Sequence, residues 1–376
     1  MVTLHRRTMR VGETLKINDL LAPELKGVIP YALGDLQQQA STELTKLDLN
    51  ENLCVDDNLL AYVIKTALAQ VDPKQYPEPQ AAVAVRAISR HFAIDQSRIY
   101  VGNGSDDILE RISRCFAKKD STVLIVEPTF FMYKYFAGLS GARTKSVLLK
   151  TSFDLDVDAI IRTMDASTSI LLLCSPNNPT ANQFKKEDLT RILEEFSGLV
   201  VVDEAYADFG RYSTARWTDK YEQLVVIRSF SKSHGLAALR AGYAISNPSV
   251  IEWLNRATPP FNVNAVTQKL IEIALNKSPQ FKKQIQLVLK ERDWFMKQLE
   301  AIKEVKPYPS DANFILFKIL GGDSTSHQVW RKLKEMKILV RDKGQDPLLE
   351  NCIRVAVGTR EMNLRFLKSL RLLLHK

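Results

Sequence analysis

The stretch Ser229-Phe230-Ser231-Lys232-Ser233-His234-Gly235, followed by Leu239-Arg240-Ala241-Gly242, is the part of the chain to which the other motifs relate. Only Arg228 separates it from the apolar run Leu224–Ile227, which is typical of a buried strand. That strand would end in serine hydroxyls, one lysine and one arginine. A lysine amine can form a Schiff base with an aldehyde cofactor, and hydroxyls together with an arginine can bind a phosphate. The combination suggests a site for pyridoxal phosphate (PLP).

Further apolar runs along the chain also end in polar residues. They are Arg98–Val101, Thr122–Val126, Ser169–Cys174, Leu199–Val202 and Ala241–Ile245. Amphipathic helical segments lie between them, which indicates an α/β fold with a mainly parallel sheet covered on both faces. In such sheets, ligands bind outside the carboxyl ends of the strands. We therefore expect the polar residues at these ends to form one site.

The sequence Gly102-Asn103-Gly104-Ser105-Asp106-Asp107 lies between a short strand and a helix expected over Ile108–Phe116. A turn of this kind can bind an anion through free backbone N–H groups and the helix dipole. It could equally be an ordinary capped turn. The dinucleotide pattern G-x-G-x-x-G needs a third glycine, and Asp107 occupies that position. A dinucleotide site is therefore a poor interpretation.

The chain has 376 residues and a net charge of +9, with 45% hydrophobic and 25% charged residues. This is the composition of a globular protein that is long enough for two domains. The basic residues are dispersed and no aromatic residues alternate with them, so solvated surface charge is a better interpretation than nucleic-acid binding. No apolar run approaches the length of a membrane span, and the first ten residues do not form a secretory signal.

The spacing of the cysteines and histidines restricts the possible cellular location and the possible kinds of site. The four cysteines form no C-x-x-C pair, which favours free thiols in a reducing cytosol and hence a cytoplasmic protein. The five histidines show no metal-binding spacing, so we predict no metal site. A Ser-His-Asp hydrolase has no local support either.

A PLP site would give each polar group a role. Lys232 would react with the aldehyde, Asp203 would pair with the pyridine nitrogen, and Phe130 would stack on the ring. Asn178 and Tyr206 would reach the phenolic oxygen. The phosphate would be surrounded by Gly104, Ser105, Asp106, Ser229, Ser231 and Arg240. Taken one at a time, these residues could serve structural purposes instead, such as a helix cap for Asp203 or core packing for Tyr206. Their joint order along the chain favours the cofactor site.

Several longer motifs extend this pattern over most of the chain. They are Leu21–Gly27, Tyr76-Pro77-Glu78-Pro79-Gln80, Val101–Asp106, Ser175-Pro176-Asn177-Asn178-Pro179-Thr180, Asp203-Glu204-Ala205-Tyr206, Ser229–Arg240, Pro260–Asn264 and Arg354–Glu361. With these motifs the chain resembles the fold-type I PLP-dependent aminotransferases, and among them most closely the histidinol-phosphate aminotransferases. The resemblance implies transamination of histidinol phosphate with 2-oxoglutarate, giving imidazole acetol phosphate and glutamate, a step of histidine biosynthesis.

The resemblance also implies a homodimer with active sites at the subunit boundary. Tyr76 would reach the PLP phosphate of the neighbouring subunit. Arg354 would bind the substrate carboxylate or phosphate with help from Arg341, and Tyr31 and Asn52 would line the substrate entrance. The implied division is an N-terminal arm over residues 1–48, a large PLP-binding domain over 49–255 and a small α+β domain over 256–376.

This sequence departs from the family pattern at several positions. Leu53 and Cys54 follow Asn52 where the family usually has proline, Ala181 replaces a glycine, and Phe130 stands where tyrosine is common. Leu53 and Cys54 lie where the substrate side chain would enter. An aminotransferase for aromatic or other amino acids, and a PLP-dependent decarboxylase of an amino-acid phosphate, therefore remain as alternatives. A PLP-fold transcription regulator would need a helix-turn-helix domain, and residues 1–48 have no such pattern.

Overall fold

The computed structural model describes residues 20–28, 44–320 and 324–374. The strands are β1 (Thr45–Lys46), β2 (Ile99–Gly102), β3 (Thr122–Glu127), β4 (Arg143–Leu148), β5 (Thr168–Cys174), β6 (Leu199–Asp203), β7 (Leu224–Ser229), β8 (Gly242–Ile245), β9 (Val305–Pro307), β10 (Phe314–Ile319), β11 (Ile338–Leu339), β12 (Arg341–Asp342) and β13 (Cys352–Ala356). The α-helices are α1 (Asp57–Leu68), α2 (Ala82–Phe92), α3 (Ser105–Phe116), α4 (Met132–Leu139), α5 (Val157–Thr163), α6 (Lys186–Glu195), α7 (Phe230–Ser233), α8 (Pro248–Arg256), α9 (Ala265–Asn276), α10 (Ser278–Glu300), α11 (Ser326–Glu335) and α12 (Arg360–Leu374).

The central sheet has seven strands in the order β2-β8-β7-β6-β5-β3-β4. The pairs from β7 to β4 are parallel, whereas β8 is antiparallel to both of its neighbours. The predicted mainly parallel sheet is therefore confirmed. The strand predicted over Ala241–Ile245 runs in the opposite direction because the short connection after β7 contains no full crossover helix.

Apolar side chains cover both faces of this sheet. On β7, Val225 and Ile227 face the cluster that includes α3, α4 and α8, while Leu224 and Val226 face the cluster that includes α5 and α6. Successive residues of a strand point to opposite faces, so a continuous apolar run is what a strand covered on both sides requires. The burial of these layers leaves the strand ends as the positions where polar side chains can converge.

A second sheet follows in the chain, with the antiparallel order β12-β13-β10-β9, and it packs against α10, α11 and α12. The extended segment over residues 338–342 is divided between two sheets. Its first part, β11, pairs in parallel with β1, and its second part, β12, pairs with β13. The segment before residue 50 is thereby attached to the C-terminal layer.

Most predicted helices and strands are present with small shifts at their ends. The helix expected from Ile108 begins at Ser105, because the Gly104 turn already leads into helical backbone. Among the residues that the structure describes, three peptide bonds before proline are cis, namely Glu127-Pro128, Ser175-Pro176 and Asn178-Pro179. In the parts of the chain that the structure describes, no helix combines the length and apolar character that a membrane span requires.

Candidate active site

Lys232 lies in α7, immediately after the carboxyl end of β7. Its Nζ donates a hydrogen bond of 2.9 Å to the backbone carbonyl of Leu49. Burial, together with the positive charge of Arg354, lowers the pKa of Lys232 to about 8. A larger share of the amine is thus unprotonated near neutral pH than for an exposed lysine, which is the form that attacks a carbonyl.

Asp203 lies at the carboxyl end of β6 and is almost completely buried. One carboxylate oxygen accepts a 3.0 Å hydrogen bond from the backbone N–H of Ala205, and the other accepts a 3.0 Å bond from the hydroxyl of Tyr133. Burial raises the pKa of Asp203 to about 6, and the bond from Tyr133 opposes this change. Both oxygens are therefore fixed in position.

The segment 48–50 passes through the site and contacts three of its functional side chains. Arg354 donates to the carbonyl of Asp48 at 2.5 Å, Lys232 donates to the carbonyl of Leu49, and the Asn50 amide donates to the Tyr206 hydroxyl at 3.1 Å. Asn50 has a positive φ of 54°, which turns the chain at this point. The segment therefore connects β1 and the C-terminal layer to the lysine.

Asn178 and Tyr206 are both buried at the ends of neighbouring strands. The side-chain oxygen of Asn178 accepts a 2.5 Å hydrogen bond from Arg354. The Tyr206 ring centroid lies 5.9 Å from Lys232 Nζ, and burial raises the pKa of Tyr206. Tyr206 is therefore a neutral hydroxyl beside the lysine at physiological pH.

The turn before α3 has the features of an anion cradle. Gly104 has a φ of 89°, and a Cβ added there would lie 2.5 Å from Arg240 Nη2. A Cβ on Gly242 would lie 2.6 Å from the carbonyl carbon of Gly104, so the strand β8 approaches the turn closely. Arg240 pairs with Asp106 at 3.0 Å. Ser229 caps α7 by accepting from the N–H of Ser231, so both serines lie at the helix start that follows β7.

The other predicted site residues lie in different surroundings. Phe130 is half-buried and its ring meets the edge of Tyr133 at a centroid distance of 5.6 Å. Asn52 is buried and its amide donates to the carbonyl of Ser233 at 3.3 Å. Arg341 lies directly opposite Arg354 across β12 and β13. Tyr31 lies outside the described residues.

Tyr76 is 82% exposed, and its ring stacks on Phe261 with centroids 4.7 Å apart. Phe261 is itself 42% exposed. An exposed pair of stacked aromatic rings is typical of surfaces that bind another protein.

Sequence reasoning missed Asp48, Asn50 and Tyr133 as parts of the site. Tyr133 follows Phe130 by three residues, the spacing at which side chains on a helical turn are neighbours, and this was the available signal. Asp48 and Asn50 precede Asn52 in an alternating polar and apolar run, but nothing local indicates that the run crosses to the lysine.

Comparison with known proteins adds to this geometry. The family model described as aminotransferase class I and II matches residues 42–370.

The chain belongs to the class I and II aminotransferases.

Among the similar relatives of this aminotransferase is a protein of Flavobacterium johnsoniae named histidinol-phosphate aminotransferase, which is 34% identical over 96% of this chain and 99% of its own. A protein of Cytophaga hutchinsonii with the same name is 36% identical over 94% of this chain and 98% of its own. The structure of histidinol-phosphate aminotransferase from Sinorhizobium meliloti, in complex with pyridoxal-5'-phosphate, aligns with a TM-score of 0.85 at 19% identity. That alignment covers 94% of this chain and 98% of that one. The fold is therefore that of the fold-type I PLP aminotransferases.

The cofactor of this aminotransferase is PLP, and the residues present fit it. The cradle at Gly104 and Arg240, which a Cβ would fill, offers helix N–H groups and a guanidinium to a phosphate. Asp203 offers a fixed carboxylate at the end of β6, and Lys232 offers an amine with a lowered pKa. These three functions come from the ends of β2, β6 and β7, as expected for a ligand at the carboxyl edge of a parallel sheet.

Proposed function

We propose that this aminotransferase transfers an amino group between histidinol phosphate and 2-oxoglutarate, with imidazole acetol phosphate and glutamate as products. The observation that carries the proposal is the pair Arg341 and Arg354, placed opposite each other on β12 and β13 and next to the lysine site. Two planar guanidinium groups can bind a phosphate or a carboxylate in the same position. The names of the relatives support the same assignment.

When bound, PLP supplies an aldehyde that condenses with the substrate amine and a ring that accepts electron density. The chain's own residues supply the remaining functions. Lys232 would take the proton from the substrate Cα and deliver it to the carbon that carries the aldehyde in PLP, since its lowered pKa suits proton transfer near neutral pH. Asp203, fixed by Ala205 and Tyr133, keeps a negative charge at the end of β6.

Arg354 orients the substrate through its anionic group. Its guanidinium is held by Asn178 on one side and by the carbonyl of Asp48 on the other, and the group is only 6% exposed. A fixed and shielded arginine loses little conformational freedom when it binds an anion. The substrate amine is then directed toward Lys232. Asn52 and Tyr31 belong to the substrate entrance in this proposal.

We also propose that the protein is a cytoplasmic homodimer with shared active sites. The exposed stack of Tyr76 and Phe261 supports a partner surface at this position. Tyr76 would then contribute its hydroxyl to the cofactor phosphate of the neighbouring subunit.

The proposed division of each subunit is an arm over residues 1–48, a PLP-binding domain over 49–255 and a small domain over 256–376. The pairing of β1 with β11 supports contact of the arm with the small domain.

Single half-reactions of the PLP-loaded protein test the substrate. Histidinol phosphate, glutamate, phenylalanine and histidine are added separately, and the visible absorbance band of the cofactor is followed. We expect rapid loss of the band with histidinol phosphate and glutamate and slow loss with the other two. The opposite order, with phenylalanine fast and histidinol phosphate slow, would assign the protein to the aminotransferases of aromatic amino acids. Release of carbon dioxide from an amino-acid phosphate, without a need for a keto acid, would identify a decarboxylase.

A further inference from the structure

The arginine pair has an acidic neighbour that the proposed reaction does not use. Asp48 is 6% exposed, and its Oδ2 lies 3.9 Å from Arg341 Nη2. The two groups are close enough to form an ion pair, but the distance between these atoms is too long for a hydrogen bond. Within the described part of the chain, neither Asp48 Oδ1 nor Arg341 Nη2 has a hydrogen-bond partner. The Asp48 carboxylate therefore lies beside the Arg341 guanidinium, and one buried polar atom of each group has no hydrogen bond.

The backbone fixes this arrangement from two directions. Asp48 follows β1, which pairs with β11, and its carbonyl accepts the hydrogen bond from Arg354. Arg341 is separated from β11 by Val340 alone and lies opposite Arg354 on the neighbouring strand. Residues directly opposite on paired strands have adjacent side chains, and like charges in such a pair repel each other. The negative charge of Asp48 lies close to Arg341 and therefore offsets the repulsion between Arg341 and Arg354.

The nearby ion pairs do not change the charge of this group. Lys46 pairs with Glu51 at 2.6 Å, and Lys343 pairs with Asp346 at 2.6 Å, so each of these pairs is neutral. The group of Arg341, Arg354 and Asp48 carries two positive charges and one negative charge. An anion that binds between the arginines is therefore attracted by two charges and repelled by one.

We propose that Asp48 is a specificity-determining residue, which limits how strongly the arginine pair prefers a doubly charged phosphate to a singly charged anion. The repulsion from Asp48 grows with the charge of the bound group, so it weakens a dianion more than a monoanion. This inference rests on the proposed function, in which one pocket must accept a phosphate substrate in one half-reaction and a carboxylate substrate in the other. Asp48 brings the affinities for the two closer together.

A matched pair of probes isolates the charge. Methyl phosphate is a dianion at pH 8, because the second pKa of a phosphate monoester is about 6, whereas methyl sulfate has nearly the same shape and one negative charge. Their dissociation constants for the PLP-loaded protein follow from the dependence of Tm on ligand concentration at constant ionic strength. The cofactor occupies its own phosphate cradle in this form, so the probes report on the arginine pair.

For Asp48→Asn we expect the affinity for methyl sulfate to rise about fivefold and that for methyl phosphate about 25-fold. These factors correspond to the Coulomb repulsion between the Asp48 carboxylate and one or two negative charges on an anion bound a few ångströms away. The preference for phosphate would thus increase about fivefold. The backbone carbonyl that binds Arg354 is unchanged in this variant. Asp48→Ser provides a second variant of smaller size, with the same expected direction.

The control is Asp342→Asn, which removes the same charge from the residue next to Arg341. The Asp342 side chain bonds to Ser326 and His327, and an asparagine can keep the bond from Ser326. We expect its preference for methyl phosphate to remain that of the wild type. An unchanged preference in both Asp48 variants, or an equal loss of affinity for both probes, would overturn the proposal and leave Asp48 as a structural support of Arg341. The probes bind without turnover, so this result is separate from a failure of histidinol phosphate in the half-reaction.

Discussion

The proposed cofactor-binding and substrate-binding regions of this aminotransferase are built in different ways. The cofactor cradle combines the turn before α3 with Arg240, which follows α7 by a few residues, and its ion pair with Asp106 is about two-fifths exposed on each side. The substrate region brings together Asp48, Arg341 and Arg354, and the bond from Arg354 to Asp48 joins residues 306 positions apart. The first region lies at strand-to-helix turns, whereas the second depends on how segment 45–48 meets the strands β11, β12 and β13. Variants in each region should therefore have separable effects.

The largest effect is expected at Lys232, because the cofactor and the substrate would both place their reacting groups next to it. Lys232→Ala should lower turnover by about 10⁴-fold or more, since it removes both the amine and the proton transfer. Stopped-flow half-reactions measure the rate, and equilibrium dialysis should show that PLP still binds without a covalent bond. The control is Lys220→Ala, an exposed lysine that contacts Glu194. Turnover close to the wild type in Lys232→Ala would refute the assignment.

Arg354→Ala should affect the substrate region and leave the cofactor region largely intact. We expect kcat/KM to fall about 100-fold for histidinol phosphate and for glutamate, the value of a charge-assisted hydrogen bond to a buried anion. Steady-state kinetics with both substrates and a PLP titration test this separation. Arg331→Ala, at an exposed arginine on α11, provides the control. If PLP affinity fell as much as kcat/KM, the two regions would not be independent.

Arg240→Ala should have the reverse pattern. The dissociation constant of PLP should rise about 30-fold, because the phosphate loses a charge-assisted contact that is partly exposed to solvent. KM for glutamate in the fully loaded enzyme should change little. Fluorescence or absorbance titration with PLP measures the first quantity, and Arg256→Ala is a surface control. A PLP affinity equal to that of the wild type would exclude Arg240 from the cradle.

The smallest effect concerns the stability of the cofactor region before PLP binds. Burial raises the pKa of Asp203 to about 6, above its ordinary value of 3.8. The folded apoprotein therefore binds this proton more tightly than the unfolded chain, so the free energy of unfolding falls as the pH rises from about 4 to about 6 and stays lower above that range.

Asp203→Asn removes this titration and should make the apoprotein more stable than the wild type at pH 7 by about 1–2 kcal/mol. Denaturant unfolding of both apoproteins between pH 4 and pH 8 measures the difference, which should grow up to about pH 6 and then level off. A difference that is the same at every pH would contradict the expectation. The Tyr133 hydroxyl remains available to the asparagine, so the change isolates the charge.

The cofactor region could be predicted from the sequence because each part has a local signal. A glycine turn before a helix, a polar residue after an apolar run, and a lysine with serines after a strand can all be recognised without knowledge of the fold. Their common position followed from the rule that ligands bind at the carboxyl ends of parallel strands. The burial that lowers the pKa of Lys232 agrees with its position after an apolar run that is typical of a buried strand.

The substrate region could be reached only through the family resemblance. Arg341 is an ordinary strand residue in its sequence context, and the division of residues 338–342 between β11 and β12 depends on the pairing of β11 with β1 and of β12 with β13. The role of segment 48–50 depends on three hydrogen bonds to distant residues, and local propensity contains no information about them. The antiparallel direction of β8 was missed for the same reason, since periodicity does not reveal strand direction.

The pairing of β1 with β11 also has a consequence for the order in which the protein is made. Thr45 is synthesised well before its partner Ile338, and Asp48 well before Arg354, which lies 306 positions later and donates to the Asp48 carbonyl. We therefore expect the segment that contacts Lys232 to reach its final position only after the C-terminal layer has been synthesised and folded. A nascent chain that ends before β11 contains every strand of the central sheet but lacks these partners of segment 48–50, so we expect a complete active site only after β13 has been synthesised.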